Sequence, residues 1–368
     1  MELTKCKLGE LITQRREKND GSDLPICGVS KDGLIPPKQK DADTSIYNVF
    51  YRDDFIFNPA RMELNSIAIN DMYDRAICSS LYEVFYVHRT DLLLPHYLKL
   101  IIRQKWFTRY CEFLGQGSAR EYCRFGNISE IEIEFPPIKE QQKIVDYNTA
   151  IENRIALKQK INDNLLNTTD TIFFKMFSER KTDATISFTD VVQLMGGGTP
   201  KTEEDSFWNG DVLFFTPKDV SHSPFCVSTE KHLTVEGLNN CSSRLYPPFT
   251  TFVTCRGTVG NLAMAGVSMA MNQSCYALKG KDDFPPLFVF SFTRYVIATM
   301  KKKASGAVFS ALVTRDFEME KVFEPNIDDA NLFQKRVEPL FAQILANTNE
   351  IQQLSDLQNA LLAQLSSC

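Results

Sequence analysis

Two stretches of this chain carry a regular apolar stripe, and their lengths govern what the rest can fold into. Within residues 138–180, Ile144, Ile151, Ile155, Ile161, Leu165, Ile172 and Met176 recur at spacings near three, four and seven. That period marks a long amphipathic helix. Pro136 and Pro137 stand just ahead of it, where proline suits a helix start. A second stripe lies within residues 327–368: Val337, Phe341, Ile344, Thr348, Ile351, Leu354, Leu361 and Leu365. Pro339 should mark the first turn of that helix or a kink. A helix of about forty residues is about 60 Å long. Its stripe cannot stay in water, so the two helices are expected to pack on each other. The second must return along the first, which makes the pair antiparallel.

The segments between the stripes have another character. Residues 1–135 and 181–325 mix short β-rich runs with turns, as in YNVFYRDDFIFNPAR and SIAINDMYDRAICSSLYEVFYV. The order is therefore globule (1–135), helix (136–180), globule (181–325), helix (326–368). Landmarks repeat in that order. Arg61, Ala68 and Ser79 match Arg256, Ala263 and Ser274 at one offset, and Gly117 and Pro136 match Gly306 and Pro325 at another. Gln142-Lys143, Val145 and Ala150 match Gln334-Lys335, Val337 and Ala342 at a third. The expected fold is α+β: two β-rich globules separated by two long helices in an antiparallel coiled-coil pair. The internal repeat implies a pseudo-two-fold molecule with a globule at each end of a rod.

Composition excludes several classes. Hydrophobic residues make up 43%, enough for real cores. No apolar run is long enough to span a bilayer, and MELTKCKLGE lacks the pattern of an export signal, so a cytosolic protein is expected. The ten cysteines include no CxxC, and the four histidines form no HExxH, so free thiols and no metal are expected. The run GGGTPKT at residues 196–202 does not supply the glycine, lysine and Ser/Thr spacing of a P-loop, and Glu203, Glu204 and Asp205 would repel phosphate. Asn58-Pro59-Ala60-Arg61 lacks the second proline and the aromatic of an amino-methyltransferase motif and reads as a turn. No catalytic residue emerges.

Basic residues are more informative. Lys99, Arg103, Lys105 and Arg109 lie with Trp106 and Phe107 in an expected helix, and Arg294, Lys301, Lys302 and Lys303 occupy the matching place in the second copy. Each helix is followed by a polar, Gly-bearing loop. The first holds Ser118, Arg120, Tyr122 and Arg124; the second holds Ser310 and Arg315. Lysine and arginine beside short polar donors fit phosphate or base contacts. They also fit a solvated helix face. A net charge of −5 argues against indiscriminate polyanion binding but permits a local basic face.

The stretch GGGTPKT…FWNGDVLFFTPKDV, with TCRGTVGNLAMA after it, resembles the start of a target recognition domain of type I restriction–modification specificity subunits. GVSKDGLIP and FNPARMELNSIA resemble another class of that domain, and FPPIKEQQKIV resembles the Pro-Pro-x-x-Glu-Gln-x-x-Ile entry to the family's conserved helix. The second helix entry, FEPNIDDANLFQKRV, departs from it with one proline and extra residues. The resemblance implies two recognition domains, each reading half of a split sequence in double-stranded DNA. It implies that the helix pair acts as ruler and dock for two modification (methyltransferase) subunits and two restriction (motor-nuclease) subunits. S-adenosylmethionine would be bound by the former, ATP and Mg by the latter, and no cofactor or catalytic site by this chain. Candidate DNA contacts are then Arg61, Lys105, Arg109, Ser118, Arg120, Tyr122 and Arg124 in the first copy. In the second they are Thr199, Lys201, Trp208, Lys218, Arg256, Asn261, Lys302, Lys303, Ser310 and Arg315. Trp208 could be structural or DNA-facing, and Arg61 and Arg256 could simply pin their turns. The competing reading is a coiled-coil adaptor whose two heads bind proteins rather than DNA.

Overall fold

A computed structural model describes residues 3–31, 33–37, 43–115, 123–177, 184–303 and 311–365. The chain divides into two compact units, Met1–Glu152 with Asp356–Cys368, and Asn153–Ser355. The central helix, Ile138–Phe177, and the C-terminal helix, Ile327–Leu365, each contribute to both.

The first unit opens with a two-stranded antiparallel pair, Thr4–Lys7 against Glu132–Phe135. A four-stranded sheet follows in the order Ile12–Arg15, Glu83–Val87, Phe55–Phe57, Ile67–Ile69. A second sheet sets Ile26–Ser30 parallel to Arg75–Cys78. These strands are rich in Val, Ile and Phe, the residues that fit a pleated buried surface. The second unit repeats the plan. Ala184–Ser187 pairs with Lys321–Phe323. The main sheet runs Val192–Gly196, Cys275–Gly280, Thr251–Thr254, Leu262–Ala265, Phe225–Cys226. Trp208–Phe215 lies parallel to Met269–Met271.

Individual hydrogen bonds recur between the copies. Glu10 Oε1 accepts from Lys7 N at 3.1 Å, and Asp190 Oδ2 from Ser187 N at 2.8 Å. Leu8 N donates to Ile131 O as Phe188 N does to Glu320 O. Cys123 N donates to Pro59 O as Leu312 N does to Cys255 O. Ile56 pairs with Ala68 and Phe252 with Ala263, so the Ala68–Ala263 match holds. The glutamine match slips by one. The counterpart of Gln334 is Gln141, because each accepts from the backbone N of a leucine 47 residues earlier, Leu94 and Leu287. Gln142 is exposed and bonds to Asp146.

The central helix starts directly after Pro137. The C-terminal helix starts at Ile327, so Pro339 lies well inside it rather than in its first turn. The stripes also do more than join helix to helix. In the second unit Val337, Phe341 and Ile344 are wholly buried in one core with Phe173, Phe177, Phe288 and Phe323, and Leu165 and Ile172 pack against that core. In the first unit Ile144 and Val145 pack on the domain core and Ile151 is buried. A helix stripe wider than a coiled-coil seam can serve two neighbours at once. Ile155, Ile351, Leu354 and Leu361 are half-buried; the side chain of Leu365 lies outside the described part.

Helix-to-helix contacts within each unit run antiparallel and are both apolar and polar: in the second unit Phe173 lies edge-on to Phe333 at 5.5 Å. Asn347 Nδ2 donates to Asn162 Oδ1 at 2.8 Å, and Lys158 Nζ lies 2.8 Å from Glu350 Oε2. In the first unit Gln358 Nε2 donates to Asn148 Oδ1 at 2.9 Å.

Candidate nucleic-acid interface

The first unit contains an open cleft of about 1320 Å³. One wall is the short helical turn Pro59–Leu64. Asn58 Oδ1 accepts from Ala60 N at 3.1 Å and caps the turn, so Asn58-Pro59 is a structural turn. The turn ends at Asn65, in the left-handed region at φ 50°. Asn65 Nδ2 donates to Ile102 O at 3.0 Å and Thr108 Oγ1 at 3.1 Å, tying the turn to the helices Pro95–Ile102 and Lys105–Gly115. The capped turn presents Arg61 exposed at the cleft. Arg124 lines the same cleft and lies 3.2 Å from Glu83. Arg103, just past the helix Pro95–Ile102, lines it too.

Arg61 and Arg124 were singled out in the sequence, and the fold brings them together. Lys31, Tyr47 and Tyr82 join them without any linear signal. They come from hairpin and loop positions that no motif marks. Glu63 and Glu112 also line the cleft and temper its charge. Lys105 and Arg109 are exposed but lie outside the cleft lining. Ser118, Arg120 and Tyr122 fall outside the described residues.

In the second unit the candidates do not converge on one place. Trp208 is half-buried, edge-on to Phe214 at 5.7 Å, with Lys231 Nζ 5.4 Å from its ring centre. Its Nε1 donates to Lys201 O at 3.1 Å, pinning the loop that carries exposed Lys201. Thr199 Oγ1 donates to Gln273 Oε1. The glycines of GGGTPKT serve close packing. A Cβ on Gly197 would stand 2.3 Å from Asn272 O, and one on Gly198 would stand 2.8 Å from Ser242 N. Lys218 is exposed in the turn Pro217–Asp219, held by Asp219 Oδ2 accepting from Thr216 N at 2.7 Å.

Arg256 is exposed at the start of the turn that leads to Leu262. Thr254 O accepts from Gly260 N at 2.8 Å across that turn, and Thr254 Oγ1 accepts from Asn261 N at 3.1 Å. Asn58 and Thr254 therefore hold the two turns that present Arg61 and Arg256. Asn261 and Lys302 line a separate groove of about 750 Å³ with Lys301, Arg294 and Phe174. Arg294 is ion-paired with Asp170 at 2.8 Å, and Lys301 Nζ donates to Gly260 O at 3.2 Å. Lys303 is turned to Glu320 at 2.6 Å. Arg315 is exposed, and Ser310 falls outside the described residues.

The thiols offer no nucleophile among the buried cysteines. Burial pushes Cys111, Cys226 and Cys255 up to about 12 and Cys123 up to about 11, so they stay protonated at neutral pH. Among the described residues no cluster of three or more potential ligands could hold a metal ion, and no helix is long and apolar enough to cross a membrane.

Comparison with known proteins gives this arrangement a family. The family model for the type I restriction modification DNA specificity domain matches twice, over residues 6–167 and 182–356. The chain is 21% identical over 358 aligned residues to the type I restriction enzyme HindI specificity subunit of Haemophilus influenzae, covering 75% of this chain and 77% of that one. It is 27% identical over 127 residues to the type I restriction enzyme MjaIX specificity subunit of Methanocaldococcus jannaschii, covering 33% of this chain and 29% of that one. The crystal structure of a type I restriction–modification S subunit from M. genitalium shares the fold, with a TM-score of 0.57 at 13% identity over 99% of this chain and 96% of that one. With both of its copies matched by one domain, this chain belongs to the type I restriction–modification DNA specificity family.

Proposed function

We propose that this chain is the DNA-reading, non-catalytic subunit of a type I restriction–modification complex, and that it recognises a split DNA sequence. The observation that carries this reading is duplication. One DNA specificity domain is matched twice, and the two units share a strand plan and a set of equivalent hydrogen bonds. Two reading heads of different sequence fit two different half-sites. Residues 1–135 and 181–325 are the target recognition domains; 136–180 and 326–368 are the conserved helices, acting as ruler and dock. Two modification subunits bring S-adenosylmethionine for adenine methylation, and two restriction subunits bring ATP and Mg. The chain itself holds no cofactor and works in the cytoplasm.

Arg61, Arg103 and Arg124, gathered on one cleft, are the leading DNA contacts of the first domain. Arg256, Lys218, Asn261 and Lys302 are those of the second. Guanidinium groups suit phosphate and guanine edges because they donate in a planar fork. Carboxylates nearby keep nonspecific attraction low, consistent with a net charge of −5.

The deciding experiment is a methylome of a host that expresses this chain with its methyltransferase partner. Methylation of one sequence made of two separated halves is expected. Methylation of an undivided sequence, or salt-independent binding of the assembled complex to DNA, would refute the reading.

A further inference from the structure

One side-chain bond recurs in both units between a long helix and the root of a helix that carries basic residues. In the first unit Gln141 is wholly buried on the central helix. Its Oε1 accepts from Leu94 N at 2.9 Å, and its Nε2 donates to Leu92 O at 2.7 Å and Pro136 O at 2.8 Å. Leu94 is the residue from which the helix Pro95–Ile102 departs. That helix runs straight to Arg103 on the cleft. Its last residue, Ile102, offers the carbonyl that binds Asn65, which ends the turn bearing Arg61. In the second unit Gln334 Oε1 accepts from Leu287 N at 3.0 Å. Leu287 lies in the first turn of the helix Pro286–Lys303, which ends in Lys301, Lys302 and Lys303.

An amide in a first helical turn has no acceptor within its own helix. A side chain that supplies one satisfies it and also fixes where that helix begins. Apolar packing alone is non-directional and tolerates small rocking. A carboxamide using its acceptor and both donors is directional, because such bonds weaken steeply away from linearity.

We propose that Gln141 and Gln334 are positioning residues. Each carboxamide locks the pose of a recognition domain on the long helix of its own unit, and so holds the gap between the DNA half-sites to one length. This rests on the proposed function, in which the helices set that gap.

The test uses the full chain with its methyltransferase partner, long-read methylation mapping, and thermal melting of each variant. Gln141→Met and Gln334→Met keep length and remove the directed bonds. Both half-sites should be retained, while preference for the native gap over gaps one base pair shorter or longer falls about tenfold for Gln334→Met, the size expected from one lost hydrogen bond, and further for Gln141→Met, which loses three. Gln334→Glu keeps an acceptor toward Leu287 N and should preserve the single gap. Lower melting with a gap as sharp as the parent's would overturn the proposal and leave the glutamines purely structural. So would a Gln334→Glu variant that loosens the gap as much as Gln334→Met. If Gln141→Met does not fold, the Gln334 pair decides, since that side chain is partly exposed. Failure of the functional reading looks different: the unmodified chain would then direct methylation to no split sequence at all.

Discussion

Replacing Phe341 by alanine tests whether the stripe of the C-terminal helix is domain core or only a helix–helix seam. Phe341 is wholly buried, edge-on to Phe290 at 5.7 Å and to Phe225 at 6.1 Å, within the core of the second unit. Removing a buried phenylalanine ring costs about 3–5 kcal/mol through lost transfer energy and the cavity left behind. The second unit has about 200 residues, for which each kcal/mol moves the melting temperature by about 2–4 °C, so a fall of roughly 6–20 °C is expected. The two tryptophans, Trp106 and Trp208, lie one in each unit. Fluorescence of Trp208 in a Trp106→Phe background therefore follows the second unit by itself. Leu332→Ala, at a position 44% exposed on the same helix and in the same unit, should leave stability within about 0.5 kcal/mol. A Phe341→Ala shift below about 2 °C would show that the ring is not core, given the size dependence above. An equal loss from Leu332→Ala would refute the assignment of faces.

Arg61→Ala and Arg256→Ala should each weaken DNA binding of the assembled complex; a lost phosphate contact lowers the salt slope by about 0.9, whereas a lost base contact costs about 1–3 kcal/mol at one position of the methylated sequence. A folded variant with unchanged slope, affinity and sequence would remove that arginine from the interface. Four residues inserted after Glu152 together with four after Ser355, where the units divide, add about 6 Å to each helix and should lengthen the gap by at most about two base pairs with both half-sites intact. An active variant with the parental gap would show that the helices are not the ruler. In alkylation of the native protein with iodoacetamide at mildly alkaline pH, half-buried Cys241 should react first among the described cysteines and half-buried Cys6, raised by burial and by Glu10, more slowly. The raised thiols of Cys111, Cys123, Cys226 and Cys255 hold little thiolate there and should label only on unfolding, so rapid labelling of any of them by mass spectrometry would contradict the buried placement.

The long helices were legible because their information is periodic and local: an apolar residue every three or four positions, and a proline pair at the first entry. The repeat was legible as an order of landmarks, since each copy must place the same turns between the same strands. Its register was not. Gln141 and Gln142 are interchangeable on paper; only the bond from Leu94 N identifies the first as the partner of Gln334. Pro339 does not mark the first turn, since a long, well-packed helix can carry one missing hydrogen bond in its interior when its neighbours are as buried as Val337 and Phe341. Sequence reasoning also paired the apolar stripes only with each other, because it could not see that the β-rich domains offer apolar faces of their own.

The proposed DNA contacts are harder to read, and the two units show why. A phosphate or base contact needs only a donor at the right place, so Arg103 and Lys31 look like any solvated cation in the linear sequence, and Arg61 stands out only through its match to Arg256. What distinguishes them is that a capped turn, the end of a helix and a hairpin deliver all three to one cleft. Trp208 shows the converse. An aromatic in a recognition motif invites a stacking role, yet its ring is braced by Phe214 and its Nε1 is spent on Lys201 O. The motif residues of the second domain thus largely build the scaffold: glycines for close approach, Asp219 for a turn, Trp208 for a loop. That scaffold leaves Lys201, Lys218 and Arg256 exposed, and substitutions at exposed positions usually shift stability by no more than about 0.5 kcal/mol. A domain that reads DNA through positions its own stability does not constrain can change its target while keeping its frame. On the proposed reading, target specificity would reside in the exposed cations and gap length in Gln141 and Gln334. Substitutions in the two sets should therefore change different features of the methylated sequence.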